Sequence, residues 1–565
     1  MFDHGLSTQM AIALNKIQPM WTKRVVTEGS GRDPLGLSRV GDTIKDFLLS
    51  GINTNNTRAR YYSFYTWALW HIEREERVRG DQELAAAFRR REAAMAVATL
   101  AHDPATSPIG IKAVRPRYES GIETGIFDCN FRVLPSNPLG GYGQYYAGSL
   151  NRLTLAHRPE NSFDVVTPDA GESLAAAFHS TVENTPYVRK QLYRETKIPK
   201  RDLIESAAEL TLDALGRGPC REERRRLIGI FFGLGVGDAF VPRRDSLALI
   251  LHAASEYEEH GVRPNASRGD ILDEYILYAF YYGVLWLDDK VVLYQVPEPF
   301  AFCRDMWQQF CLQQFLTQAL EGLLCSVLEA VTADPAGLTL EEVVASLTGE
   351  DFLEALIDAT GEDCSRPRDL LAIFGARDIP DDAASARMRE TLAPTHELSE
   401  AETLGWEYDG PAFEAARAVI LLATLYVKWR GAGRSLAFNY VAERAGQDLW
   451  AGSLLPSLDR WLDAGLTWEE ALREVIEVFV INQHDRVMYE KGKLDSCWLQ
   501  RAGGRIVKEQ DYAPAWRSSR HLNAVLIMND IGLVRLSDER EVSVTPEGRK
   551  VLGRALRASS GTQEE

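Results

Sequence analysis

The chain has 565 residues, 45% hydrophobic and 25% charged, an ordinary globular composition with length enough for several domains. A net charge of -18 excludes a whole-surface affinity for nucleic acid, so contact with DNA requires a local basic patch or a partner. Seven scattered cysteines with no C-x-x-C pair argue against a disulfide framework and a zinc knuckle.

The start, MFDHGLSTQM, lacks the basic-then-apolar pattern of a signal peptide, and no window reaches the roughly 18 uninterrupted apolar residues of a membrane span. The expectation is a cytoplasmic protein without membrane contact. In chain order, Leu37 to Leu49 carries Val40, Ile44, Phe47 and Leu48 at helical spacing. "SGINTNNT" then reads as a turn, with Asn56 or Thr57 placed to cap the next helix. That helix, "RARYYSFYTWALW", has aromatics on all sides, which points to burial on most faces and against a one-sided stacking platform. Arg58 and Arg60 stand in its first turn, where the helix dipole disfavours cations, so each calls for an anion, with a structural carboxylate the favoured partner.

Residues 120 to 170, rich in glycine, proline and tyrosine, read as an irregular connection with short strands. "NPLGGYGQYYAGSLNRL" has no lysine where a phosphate-binding loop needs one. Helices resume through "RKQLYRETKIPKRDLIESAAELTLDAL", "CREERRRLIGIFFGLG", "RDSLALILHAASEYEEHG" and "DMWQQFCLQQFLTQALEGLLCSVLEAV". His252, Glu256 and His260 share a helix face, but the outer pair are about 12 Å apart, too far for one ion, so a solvated face is the better reading. "LWLDDKVVLYQ" places Asp288, Asp289 and Lys290 before a β-prone run. Carboxylates beside a lysine on a strand are part of the metal-dependent nuclease constellation, with Asp273 or Glu274 as a further acid; a plain turn is the simpler reading. "YAFYYGVLW" faintly echoes the first aromatic helix. Further on, Thr339 and Glu342 form a capping-box pattern. His484 and Asp485 are helix neighbours and do not face each other as a triad would.

The end of the chain has the clearest local pattern. Ser518 or Ser519 caps a helix with Leu522, Val525, Leu526 and Met528, two short strands follow at Val534–Leu536 and Val542–Val544, and Thr545-Pro546 opens a last helix. Helix, hairpin, helix resembles the second half of bacterial winged-helix domains. That resemblance implies that Arg517, Arg520, His521 and Asn523 read bases or phosphates and that Arg535 and Arg540 touch the backbone from the wing. Asp538, Glu539 and Glu541 at the same hairpin favour protein docking instead.

The expected fold is mainly α and multi-domain: a helical domain with an aromatic core helix (1–115), a loop-rich connection (116–175), a central helical domain (176–333), an acidic linker with short helices (334–405), a helical region (406–500) and a winged-helix-like module (501–565). Asp33–Trp70, "DPLGLSRVGDTIKDFLLSGINTNNTRARYYSFYTWALW", resembles bacterial domain-of-unknown-function families with a recurrent "LGL…I…LLPG…T.RARYYxFxxW" pattern, with Ser50 here at the common proline. Some such families are encoded near mobile elements and phage-defence genes. The resemblance implies a non-enzymatic component of a bacterial defence or DNA-transaction system, which needs no cofactor or metal. It would bind DNA or a defence-system protein partner through the terminal module. A divergent metal-dependent nuclease and a structural docking subunit for a helicase or nuclease are the alternatives.

Overall fold

The computed structural model describes residues 33–76, 78, 80–160, 162–234, 241–266, 275–287, 291–376, 410–429, 435–492 and 497–560. The fold is mostly helical. The helices that matter for the site are α1 (Ser38–Leu48), α2 (Arg60–Glu75), α3 (Asp81–His102), α4 (Ala170–Val182), α5 (Arg221–Phe232), α6 (Val241–Glu259), α7 (Ala301–Ala330), α8 (Pro411–Trp429), α9 (His521–Asp530) and α10 (Pro546–Ser559). The described strands form two-stranded antiparallel ladders, among them Leu499–Ala502 with Arg505–Lys508 and the terminal hairpin, Val534–Leu536 with Val542–Val544.

The core is organised around α7. α8 runs against it, and α1, α6 and the helix Leu436–Ala445 pack on its other sides. Nearly all the described buried apolar residues form one continuous cluster from Leu35 to Ala555, apart from a small one at Val487, Met488 and Cys497, so packing crosses the segments into which the sequence divides. One described helical stretch, Glu298–Ala333, is long and apolar enough to cross a bilayer, and 89% of its apolar window is buried inside the protein. A polar row on α7 anchors chain segments from both ends. Gln313 donates to the Leu37 carbonyl (3.2 Å), Gln314 accepts from the Arg517 backbone N–H (3.0 Å), and Glu321 pairs with Arg517.

α2 is buried on nearly every side. Tyr61 stacks on Tyr65, and Tyr62 meets Tyr146 and Phe231 edge-on. Its start is not capped by Asn56 or Thr57. Asn56 is buried and bonds Tyr62 and Ser149, and the α2 cap comes from the far end of the chain, where the Asp530 carboxylate accepts the Ala59 N–H at 2.9 Å. The connection read as irregular with short strands does carry them, at Ile126–Asp128, Ala156–His157 and Val165–Val166, but its glycine-rich part is helical: Tyr142–Tyr146 makes a wide turn that runs into a helix at Ala147–Arg152. Packing overrides its glycines, because Tyr142 stacks on Phe88 at 4.8 Å and Tyr146 fits against Tyr61, Tyr62 and Tyr65. The echo at Tyr278 is not a second aromatic α-helix. It forms a wide helical turn, Tyr275–Tyr282, leading to the strand Val284–Trp286.

Glu92 on α3 lies under this aromatic cluster, accepting from Tyr65 and from the Gly141 N–H. Burial pushes its pKa up to about 7 from an ordinary 4.5, against the opposing effect of those two donors. The folded chain therefore holds a proton that the unfolded chain releases near pH 4.5. The resulting stability is full in acid and is lost as pH rises through about 7. Glu92→Gln keeps an acceptor and removes the titration. Its stability relative to the parent should improve between pH 5 and pH 8 by up to about 3 kcal/mol, read by denaturant midpoints. A pH-independent difference would show that Glu92 is ionised throughout.

Candidate nucleic-acid interface

The residues singled out as readers on the terminal module are mostly internal. Arg517 lies 2.7 Å from Glu321, whose side chain is fully buried. Burial pushes the Glu321 carboxyl up to about 7 although Arg517 opposes it. Arg520 lies 2.7 Å from Asp46 on α1, a carboxylate shared with Arg152, and donates to the Ile52 carbonyl. His521 is buried, and Asn523, also buried, donates to the Thr54 carbonyl. The face expected to read DNA is thus turned onto α1 and the Ile52–Thr54 turn. This corrects the expectation of an exposed reading face at Arg517, Arg520, His521 and Asn523: the segment leading into α9 packs on α7 and α1, and burying the apolar sides of α9 carries His521 and Asn523 inward. α9 begins after Arg520, which has a left-handed φ of 63°, and Ser518 and Ser519 accept from the N–H groups two residues on. Arg535 and Arg540 are exposed on the hairpin. The hairpin tip is tied down, since the Arg540 carbonyl accepts from Ala266 and the Glu539 carbonyl from Asn265. Asp288, Asp289 and Lys290, with Asp273 and Glu274, lie outside the described residues.

Arg58 and Arg60 each face carboxylates. Arg58 sits between Asp530 (3.0 Å) and Asp213. Burial works against its charge, but the two acids more than offset this and raise its pKa. Arg60 is fully buried against Glu223 at 3.3 Å and also donates to the Thr211 carbonyl. Glu223 accepts from Ser63 as well.

Glu223 belongs to α5, and the opposite side of α5 faces a cleft of about 1150 Å³. The sequence "REERRR" builds both sides. Glu222 and Glu223 occupy the first turn, where the dipole favours acids. Gly233, with φ of 59°, ends the helix, and the buried Arg243 of α6 donates to the Ile230 and Phe231 carbonyls at that end. Arg221, Arg224 and Arg225, at i, i+3 and i+4, fall on one face and line the cleft together with Arg226. The terminal module supplies the far wall through the Ile531–Gly532 turn and through Glu547 and Arg554 of α10. The first turn of α4 supplies the near wall. α4 packs directly on α5, and on its other side Gly171 faces the Leu155 carbonyl, where an added Cβ would sit 2.3 Å away. The Arg224 guanidinium reaches the module at Gly532, 3.7 Å from the position a Cβ would take there. Ile228, Ile230 and Leu234 form an aliphatic floor.

Arg225 and Arg226 share Glu222 in exposed pairs at 2.7 Å, which contribute little and exchange readily for a stronger anion. Arg221, Arg224 and Arg554 make no ion pair among the described residues. Among the described residues five guanidinium groups therefore meet three carboxylates, Asp169 and Glu547 on the lining and Glu222 beside it, and leave local positive charge in a strongly acidic chain. Such a surface can hold phosphate oxygens in the forked geometry that arginine provides. Among the described residues no group of three or more His, Cys, Asp or Glu side chains converges as a metal site. The signal for this cleft lay in the run Arg221–Arg226, whose spacing puts guanidinium groups on one face. Arg554, the Ile531–Gly532 turn and the α4 wall could be supplied only by tertiary packing.

No family model, no curated protein and no solved structure matches the chain.

Proposed function

We propose that the protein is a non-enzymatic nucleic-acid-binding component of a bacterial defence or DNA-transaction system, and that it binds through the arginine cleft instead of through α9. The observation that carries this reading is the convergence of Arg221, Arg224, Arg225 and Arg554 on one cleft of a chain with a net charge of -18. A local concentration of arginine is what an acidic protein needs to approach phosphate. On this reading the terminal helix–hairpin–helix, similar to half a winged helix, serves as a wall of the cleft. The defence or DNA-transaction setting rests on the resemblance of Asp33–Trp70 to families encoded near phage-defence genes.

The test is a titration of the full chain with a labelled oligonucleotide across salt, with and without Mg²⁺, scored for both binding and cleavage. The expected outcome is binding that weakens with salt at a log–log slope of roughly -2 to -4, with the oligonucleotide intact. A flat salt response would leave the module as a protein-docking element, and Mg²⁺-dependent cleavage would favour a nuclease.

A further inference from the structure

We infer that the ligand of the arginine cleft is a single-stranded nucleic acid bound without sequence preference, and that duplex is a poor substitute. This rests on the reading of the cleft as a phosphate-binding site and adds the chemistry of its floor. The partly exposed Leu234 and the edges of the mostly buried Ile228 and Ile230 line the cleft beside the arginine row, and Ala170 stands on the α4 wall. A duplex hides its bases and offers such a cleft only phosphate and sugar, leaving the aliphatic floor without a partner. A single strand offers phosphate to Arg221, Arg224 and Arg225 and base faces to the floor in the same pose. Guanidinium planes also stack on bases, a contact every base can make. Arg224 and Arg554, unpaired with carboxylate among the described residues, are placed for both uses.

Two further features fit this class of ligand. The volume, about 1150 Å³, exceeds the ~300–1000 Å³ that accommodates a drug-sized molecule, so there is room for more than one nucleotide. Among the described lining residues Ser173 is the only uncharged hydrogen-bonding side chain and no Asn or Gln is present, so base reading falls to the arginines, whose use on phosphate and in stacking is independent of sequence. Asp169 and Glu547, on opposite walls, repel phosphate and confine the backbone to the α5 side.

The experiment measures anisotropy of the full chain at one salt concentration with a mixed-sequence DNA single strand, the RNA strand of the same sequence, their duplexes, and inorganic polyphosphate as competitor. Ser173→Met fills the cleft without removing an arginine or adding an aromatic ring on which bases stack. Ala170→Leu is the milder second filler, and both are checked for unchanged melting. The expected result is single strands, DNA or RNA, bound at least about tenfold more tightly than duplex, with both fillers lowering that affinity about tenfold while polyphosphate binding changes less than about twofold. Duplex bound as tightly as single strand, or single-strand affinity unmoved by well-folded fillers, overturns the inference while leaving the phosphate-binding reading in place. If substituting Arg221, Arg224 and Arg554 changes no arm at all, the phosphate-binding reading itself fails.

Discussion

Replacing Glu223 with alanine should cost the fold about 3–5 kcal/mol, the expected penalty for leaving a buried charge without its partner. Arg60 and Glu223 both have fully buried side chains, so neither can turn to water when the other is lost. Arg60 would keep the Thr211 carbonyl and the face of Phe178, 4.9 Å away, but no carboxylate in place of Glu223. The pair also joins α2 to α5, so the variant should loosen the helix that carries the arginine row. The double variant Arg60→Met, Glu223→Leu should recover much of the loss, because a buried ion pair is often no more stabilising than well-packed apolar groups of similar volume. Denaturant unfolding of the single and double variants measures both quantities. A loss below about 1 kcal/mol in Glu223→Ala would mean that water reaches Arg60.

Asp530→Ala should cost about 2–4 kcal/mol by removing two interactions at once. The carboxylate caps α2 at the Ala59 N–H and pairs with Arg58. A lost cap alone costs about 1 kcal/mol, and the remainder comes from the half-buried guanidinium left with Asp213 only. Burial raises the Asp530 pKa, with Arg58 opposing, so the group is costly to ionise and its partners offset that cost. Asp530→Asn keeps a cap acceptor and gives up the charge, so it should recover part of the loss. Equal losses in the two variants would show that the cap contributes nothing.

The helical architecture was legible wherever the local pattern and the tertiary demand agree. "PAFEAARAVILLATLYVKW" forms α8 end to end, and the terminal strands and the Thr545 cap fall where turn and cap chemistry put them. All-round aromatics in α2 signalled burial because no single face could hold them. What the sequence could not disclose is pairing at long range. Asp530 caps a helix that begins at Arg60, and Arg517 answers Glu321. Polar residues on α9 resembled an exposed reading face because a local pattern cannot tell solvent from a second packed surface. The same limit hid the cleft: "REERRR" alone reads as a solvated helix face, and only the arrival of the Ile531–Gly532 turn and α10 makes it concave.

The most direct measurement is the salt dependence of single-strand binding for the parent chain and for Arg221→Ala, Arg224→Ala and Arg554→Ala combined. Each phosphate contact removed should flatten the log–log slope by about 0.7, so the triple variant should lose roughly 2 from the slope, keep the remainder through Arg225 and Arg226, and lose at least about a hundredfold in affinity at low salt. Unchanged slope and affinity in a well-folded triple variant would contradict the assignment of this cleft.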